Sequence, residues 1–199
     1  HLEGDLVLTD YCLEGTPWKG IRGIRQANGN LYLLDQQKRI LEYDPQRRRS
    51  REVVTCEGAW TIQAFDINSM GQLYFADRRN RIWQSDPALP AVLGRSLRHL
   101  RPVLDYHPGG FLPREEEYYP LVFSRLRFEK IVDLRYLNRY EGLLVQSEDP
   151  LREVPRNTPV PTERMHLFFL HLAEKNAYPW VKLQPSEDFF IMSNETTRS

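Results

Sequence analysis

The chain has 199 residues, of which 41 % are hydrophobic and 12 % aromatic, enough to bury a sizeable core. Its 27 basic and 27 acidic side chains cancel, which excludes a global field drawing it onto nucleic acid or an anionic membrane. No window approaches the roughly 18 consecutive apolar residues of a membrane-spanning helix, and two cysteines, Cys12 and Cys56, are too sparse for a disulfide scaffold.

The first elements along the chain belong to a repeat. Gly29-Asn-Leu-Tyr-Leu-Leu-Asp35 through Arg39-Ile40 to Asp44-Pro45 returns 42 residues later as Gly71-Gln-Leu-Tyr-Phe-Ala-Asp77 through Arg81-Ile82 to Asp86-Pro87, with eight of seventeen positions identical. Trp18 and Trp60 precede their glycines at the same offset. In each copy an apolar run from glycine to aspartate reads as a buried strand. Four polar residues of hairpin-loop length follow, and a second strand ends at Asp-Pro, where proline removes a ladder donor. The segments Trp18–Gln26 and Trp60–Asn68 supply a further strand, giving three to four strands per 42 residues. Glycines and Asp-Pro pairs rule out a helical repeat of similar period. Cys12 and Cys56 fall at near-equivalent places in the two copies and read as reduced, small buried residues, which points to a reducing, cytoplasmic compartment.

Beyond Ala88 the repeat blurs. Residues 88–120 hold prolines, Gly109-Gly110 and the acidic Glu115-Glu116-Glu117, and read as a loop-rich excursion. Strands resume at Leu121-Val-Phe-Ser, Lys130-Ile-Val-Asp-Leu and Gly142-Leu-Leu-Val-Gln-Ser. Residues 152–164 form a proline-rich connector. Met165-His-Leu-Phe-Phe-Leu-His-Leu, Trp180-Val-Lys-Leu and Phe189-Phe-Ile-Met-Ser then make a last sheet.

A period near 40 with short strands marks a β-propeller blade. At Gly71–Asp77 with Arg81-Ile82, and more weakly at Gly29–Asp44, the chain resembles the NHL, YWTD and gluconolactonase-like propellers, over residues 12–87. Tyr140-Glu-Gly-Leu-Leu-Val, Leu167-Phe-Phe-Leu-His-Leu, Trp180-Val-Lys-Leu and Phe189-Phe-Ile-Met together resemble, loosely, the kelch-like propellers of plant F-box-associated proteins. The expectation is a single all-β domain over residues 1–199: a β-propeller of about four to five blades, with clear blades at 12–45 and 56–87 and further strands at 121–150 and 165–193. That number is low for a closed ring, so an incomplete ring, a fragment, or closure by a second chain stay open.

The candidate chemistry is thin. Asp35, Asp44, Asp77 and Asp86 recur, and gluconolactonase-like propellers hold a divalent metal with channel carboxylates; repeated aspartates are more often turn formers. Arg39 and Arg81 recur and are expected to pair with a neighbouring blade's carboxylate. His166 and His171 are five apart, so on a strand they face opposite sides and share no metal. No nucleophile elbow, phosphate loop or zinc spacing is present. Non-repeating features are where a propeller's specificity resides. The expected partner-binding residues are therefore Tyr106, His107, Glu115, Glu116, Tyr118 and Tyr119, with the basic turn Arg47, Arg48 and Arg49.

These residues suggest a non-catalytic module that binds a protein partner through loops on one face, with no cofactor, metal, nucleic acid or membrane in its function. The alternative, implied by the gluconolactonase-like resemblance, is a metal-dependent lactone or ester hydrolase with three or more acidic or Asn side chains converging on the channel.

Overall fold

The computed structural model describes residues 20–104, 121–123, 128, 130–148 and 165–183; for 121, 122, 148, 165, 166 and 179–183 only the backbone is described. The sequence alternates short apolar strands with turn residues, and the elements described are strands with a 3-10 turn at Asn138–Tyr140.

β1 (Ile21–Ala27), β2 (Asn30–Asp35), β3 (Arg39–Asp44) and β4 (Arg49–Cys56) run up and down as an antiparallel meander. β5 (Ile62–Ile67), β6 (Leu73–Asp77) and β7 (Ile82–Ser85) repeat that pattern. The chain then crosses over as β8 (Ala91–Leu93), which adds parallel to β4, before β9 (Leu100–Leu104) completes the second sheet beside β7. The third sheet has the order β10-β14-β13-β12-β11, from β10 (Leu121–Val122), β11 (Lys130–Leu137), β12 (Gly142–Glu148), β13 (Met165–His171) and β14 (Asn176–Leu183). The repeat glycines serve the turns that open β2 and β6. Gly29 and Gly71 sit at φ +79° and +82°, a left-handed backbone costly for side chains, and each turns the chain into its buried strand.

Burial explains why these strands read as continuous apolar runs rather than alternations. Leu73 and Phe75 of β6 enter the core shared with Tyr32, Leu34, Ile40 and Val54 of the first sheet. Tyr74 and Ala76, from the opposite face of the same strand, enter the core shared with Leu134, Leu143, Val145 and Phe168 of the third. The middle sheet is thus apolar on both faces, and the first strands lie together, with β5 packed between β1 and β11. This is the layout of a β-propeller, three blade-like sheets forming an arc among the described residues.

The recurring aspartates are turn formers. Asp77, fully buried, accepts the backbone N–H groups of Arg79 (2.8 Å) and Arg81 (3.1 Å) on one oxygen. Its other oxygen accepts Arg81 Nε (2.8 Å) and Trp83 Nε1 (3.0 Å). In the first copy Asp35 pairs with Arg39, but its second carboxylate oxygen is buried without a hydrogen bond, and Leu41 replaces the tryptophan. Asp44 and Asp86 accept backbone amides two residues on, at 2.9 Å each. Arg39 and Arg81 therefore pair within their own sheet, not with the neighbouring one as their recurrence suggests. The reason is reach: across the hairpin the aspartate is only four residues away.

Two strands also appear inside the region that reads as loop, β8 and β9. Both are easily missed: β8 has three residues bounded by Pro90 and Gly94, and β9 carries Pro102 on the sheet edge, where a missing N–H is tolerated.

Asp77→Ala strands four donors in a closed site. Chemical denaturation is expected to show a loss of about 3–5 kcal/mol, whereas Asp86→Ala, which frees one exposed turn amide, costs about 1 kcal/mol. Equal losses at the two positions would contradict the assignment of Asp77 as the second sheet's polar anchor.

Candidate partner-binding face

Antiparallel registers place particular turns at one common end of the arc. The β1–β2 turn packs against the β5–β6 turn, where Asn28 lies against Gly71. The β5–β6 turn is in turn bonded to the 3-10 turn after β11: Asn138 Oδ1 accepts both Ser69 N and Ser69 Oγ at 2.9 Å. The Asp44–Arg49 register brings the β3–β4 turn to the same end, and the Leu73–Ser85 and Ser85–Leu100 pairs bring the end of β7 and the start of β9. The opposite end carries Gln36–Lys38, Arg78–Asn80 and Trp60, whose ring is stacked by Arg79 and Arg81 at 4.9 and 4.7 Å.

The first end carries the three most exposed large apolar side chains among the described residues. Met70 is 80 % exposed at the tip of the β5–β6 turn, Tyr140 is 51 % exposed after the 3-10 turn, and Leu89 is 50 % exposed beyond β7. Tyr140 is braced rather than loose: it packs edge-on against Phe169 (6.2 Å between centroids) and under the Arg139 guanidinium (5.7 Å). Single exposed apolar residues need no explanation, but Met, Tyr and Arg on hydrogen-bonded, adjoining turns match the composition of interface anchors.

The basic turn expected from the sequence lies at this same end. Arg47 is 81 % exposed with Asp44 at 3.7 Å, Arg48 takes a left-handed backbone at φ +51°, and Arg49 opens β4 exposed. Arg51, in contrast, is a strut. It donates to Pro87 O (2.7 Å) and pairs with Glu42, which also accepts from Tyr32 Oη (2.9 Å) and Asn30 Nδ2 (2.7 Å). Burial and that carboxylate together push the Tyr32 phenol upward. Tyr106, His107, Glu115, Glu116, Tyr118 and Tyr119 lie outside the described residues, as do Trp18, Cys12 and Asp149-Pro150. Leu104, from which the 105–120 segment leaves, is at the opposite end of the second sheet from Arg47. Cys56 carries a free thiol that burial pushes up to about 11.

The first strands bring charges of both signs together. Arg25 Nε of β1 lies 3.1 Å from Asp66 Oδ1 of β5, an ion pair without hydrogen-bond alignment, and Arg25 Nη2 donates to Asp133 Oδ1 of β11 at 3.2 Å. Arg135 Nε donates to Asp133 Oδ2 at 3.0 Å, and Tyr136 N to Asp66 Oδ2 at 2.7 Å. Two carboxylates meet two guanidiniums, so the charges of this group cancel. Among the described residues no group of three or more His, Cys, Asp or Glu is placed to hold a metal. Burial pushes the Asp66 carboxyl up, opposed by the Tyr136 amide and Arg25; burial and Arg135 push Arg25 down.

Sequence reasoning passed over Met70 and Tyr140. A signal existed for the first: Met70 occupies the position that the other copy fills with Asn28, so an apolar residue stands where the turn calls for a polar one. Tyr140 carries no repeat to compare.

No family model matches this chain, and no curated protein matches it. Among solved structures it is similar to the N-terminal domain of Nup159, at 12 % identity and a TM-score of 0.41 over 77 % of this chain and 34 % of that one. It is also similar to a chain of the S. cerevisiae complex of a Dbp5 variant bound to Nup159, a Gle1 variant, IP6 and ADP, at 10 % identity and a TM-score of 0.46 over 81 % and 37 %. The chain thus spans about a third of either matched chain.

Arg25→Met removes the ion-pair partner of the buried Asp66 and leaves Arg135 as its nearby cation. The folded pKa of Asp66 then rises further above the unfolded value, so the added destabilisation, about 3–5 kcal/mol at neutral pH, shrinks as the pH falls and Asp66 takes up a proton. Urea unfolding of the variant at pH 7 and near pH 5 checks this: a difference from wild type that is independent of pH would contradict a buried ion pair at this position.

Proposed function

We propose that this chain is a non-catalytic recognition module that binds a protein partner through the end of its blade-like sheets that carries the β1–β2, β3–β4 and β5–β6 turns. The observation that carries the reading is Met70, Tyr140 and Arg139 on mutually hydrogen-bonded turns, with Met70 80 % exposed and Tyr140 braced by Phe169. A braced aromatic buries large contact area at low ordering cost, and a flexible thioether adapts to the partner's contour. Arg47 and Arg49, exposed on the neighbouring turn, supply long-range attraction for an acidic partner and fork-shaped donors at contact. The segment carrying Tyr106, His107, Glu115, Glu116, Tyr118 and Tyr119 is a second part of this proposal, resting on its non-repeating, aromatic and acidic composition. The hydrolase alternative finds less support, since Asp66 and Asp133 are paired with arginines rather than left to bind an ion.

The test is affinity capture from extract of the source cell with matched variants. Met70→Asp combined with Tyr140→Ala is expected to abolish retention of the partner, because central anchors cost about 1–3 kcal/mol each. Arg47→Glu with Arg49→Glu should weaken capture chiefly at low salt. Arg78→Glu, a charge reversal at the opposite end, should leave capture intact. Loss with Arg78→Glu and retention in the other variants would overturn the assignment.

A further inference from the structure

Residues 20–104 carry 14 basic side chains against 8 acidic ones, an excess that the rest of the neutral chain offsets. Four of those carboxylates, on Asp35, Glu42, Asp66 and Asp77, are buried, and each is paired with an arginine of the same stretch. Setting those four pairs aside leaves ten cations and four carboxylates, so the first two sheets are locally basic. Some of these cations meet around Trp60, at the end of the sheets opposite Met70. Lys38 Nζ donates to Gly58 O (2.8 Å) and Trp60 O (2.6 Å), and Arg78 N donates to Thr61 O (3.1 Å). The loop before β5 is therefore clamped between the β2–β3 and β6–β7 turns. The half-buried indole packs on the core shared by the first two sheets and carries the guanidiniums of Arg79 and Arg81 at 4.9 and 4.7 Å. Arg81 is already committed to Asp77, whereas Arg78 and Arg79 are exposed and form no ion pair among the described residues. Glu57, the acidic residue of the loop, has its carboxylate against Gly94, just beyond β8. The repeat shows that the turn does not require the two arginines. Asp77-Arg78-Arg79-Asn80-Arg81 is the second copy of Asp35-Gln36-Gln37-Lys38-Arg39, and the first copy joins the equivalent pair of strands with neutral Gln36-Gln37.

We infer that Arg79, held on Trp60 with Arg78 beside it in the turn, is the centre of an anion site that takes the phosphate dianion of a phosphorylated side chain. Stacking on the indole fixes the plane of the guanidinium and leaves its N–H edge to donate, and that fork matches two oxygens of one phosphate. Arg78 and Lys38 add positive charge that no neighbouring carboxylate cancels, since Asp77 is matched by Arg81 and Glu57 is turned toward Gly94. Such a field favours a doubly charged group over a singly charged one. A nucleic acid strand fits less well. Single strands are held by bases stacking on aromatic rings as well as by charge, and an indole with the core behind it and two guanidiniums over it offers no open face. The site lies at the other end of the sheets from Met70 and Tyr140 and does not depend on partner binding there.

The experiment titrates the intact chain, labelled with nitrogen-15, at a pH well above the second phosphate pKa of about 6. Four probes are used: the blocked peptide acetyl-Gly-phosphoserine-Gly-amide, its glutamate counterpart, inorganic phosphate, and a short oligothymidylate. The phosphopeptide should shift the Trp60 indole Nε1–H and the Arg79 side-chain Nε–H saturably, and added salt should weaken it. The glutamate peptide should bind at least about tenfold more weakly. Arg79→Gln should weaken the phosphopeptide by about tenfold or more, and Arg78→Gln by less. The two changes together restore the Gln-Gln of the first copy, so the turn is expected to fold, with the Met70 and Tyr140 amide signals in place. Equal binding of the two peptides, tighter binding of the oligothymidylate, binding of inorganic phosphate alone, or full binding by Arg79→Gln would each overturn the proposal. No natural partner enters the titration, so its result and that of capture through Met70 and Tyr140 are read independently.

Discussion

A strand buried on both faces has nowhere to keep a polar side chain except at its ends, and β6 imposes that condition on the whole arrangement. Leu73 and Phe75 fill one inter-sheet core and Tyr74 and Ala76 the other, so the middle sheet must be sandwiched by two further sheets to exclude water from both sides. Polar groups are displaced to the strand termini. There Asp77 gathers the amides of its own turn, and Asp44 and Asp86 do the same at the other end. What remains available for recognition is the set of turns.

The same logic governs the charges on the first strands. Arg25, Asp66, Asp133 and Arg135 sit where β1, β5 and β11 approach, and pairing there offsets the desolvation that would otherwise neutralise them. Such a balanced group links three sheets without offering a free carboxylate to a metal or an unpaired base to a substrate. Asp66 and Arg25 are perturbed chiefly by burial, and each is the other's ion-pair partner.

Much of this was legible beforehand, and the repeat explains why. Gly29 and Gly71, the apolar runs behind them and the closing Asp-Pro pairs are each dictated by local backbone rules, so hairpins over 30–44 and 73–85 follow from the residues alone. The edge strands were less visible. β8 is held by pairing with β4, more than thirty residues away, and β9 contains a proline; neither has a local pattern to reveal it. The candidate face was legible at Arg47–Arg49, where charge is conspicuous in the sequence. Met70 and Tyr140 join the candidate face only through Ser69 and Asn138, whose bonds join turns 69 residues apart. No periodicity encodes that contact, and the partners of Arg39 and Arg81 were misassigned for a related reason: recurrence reveals equivalence but not which neighbour a side chain reaches.

The most direct measurement of the central claim is hydroxyl-radical footprinting of the chain alone and in complex with a captured partner, read by mass spectrometry at single residues. Met70, Leu89 and Tyr140 are all exposed and oxidisable in the free chain, whereas Trp60 sits at the opposite end under two guanidiniums. The account predicts that oxidation at Met70, Leu89 and Tyr140 falls several-fold in the complex while Trp60 is unchanged. Protection of Trp60 with Met70 and Tyr140 still fully reactive would contradict it and move the binding face to the other end of the sheets.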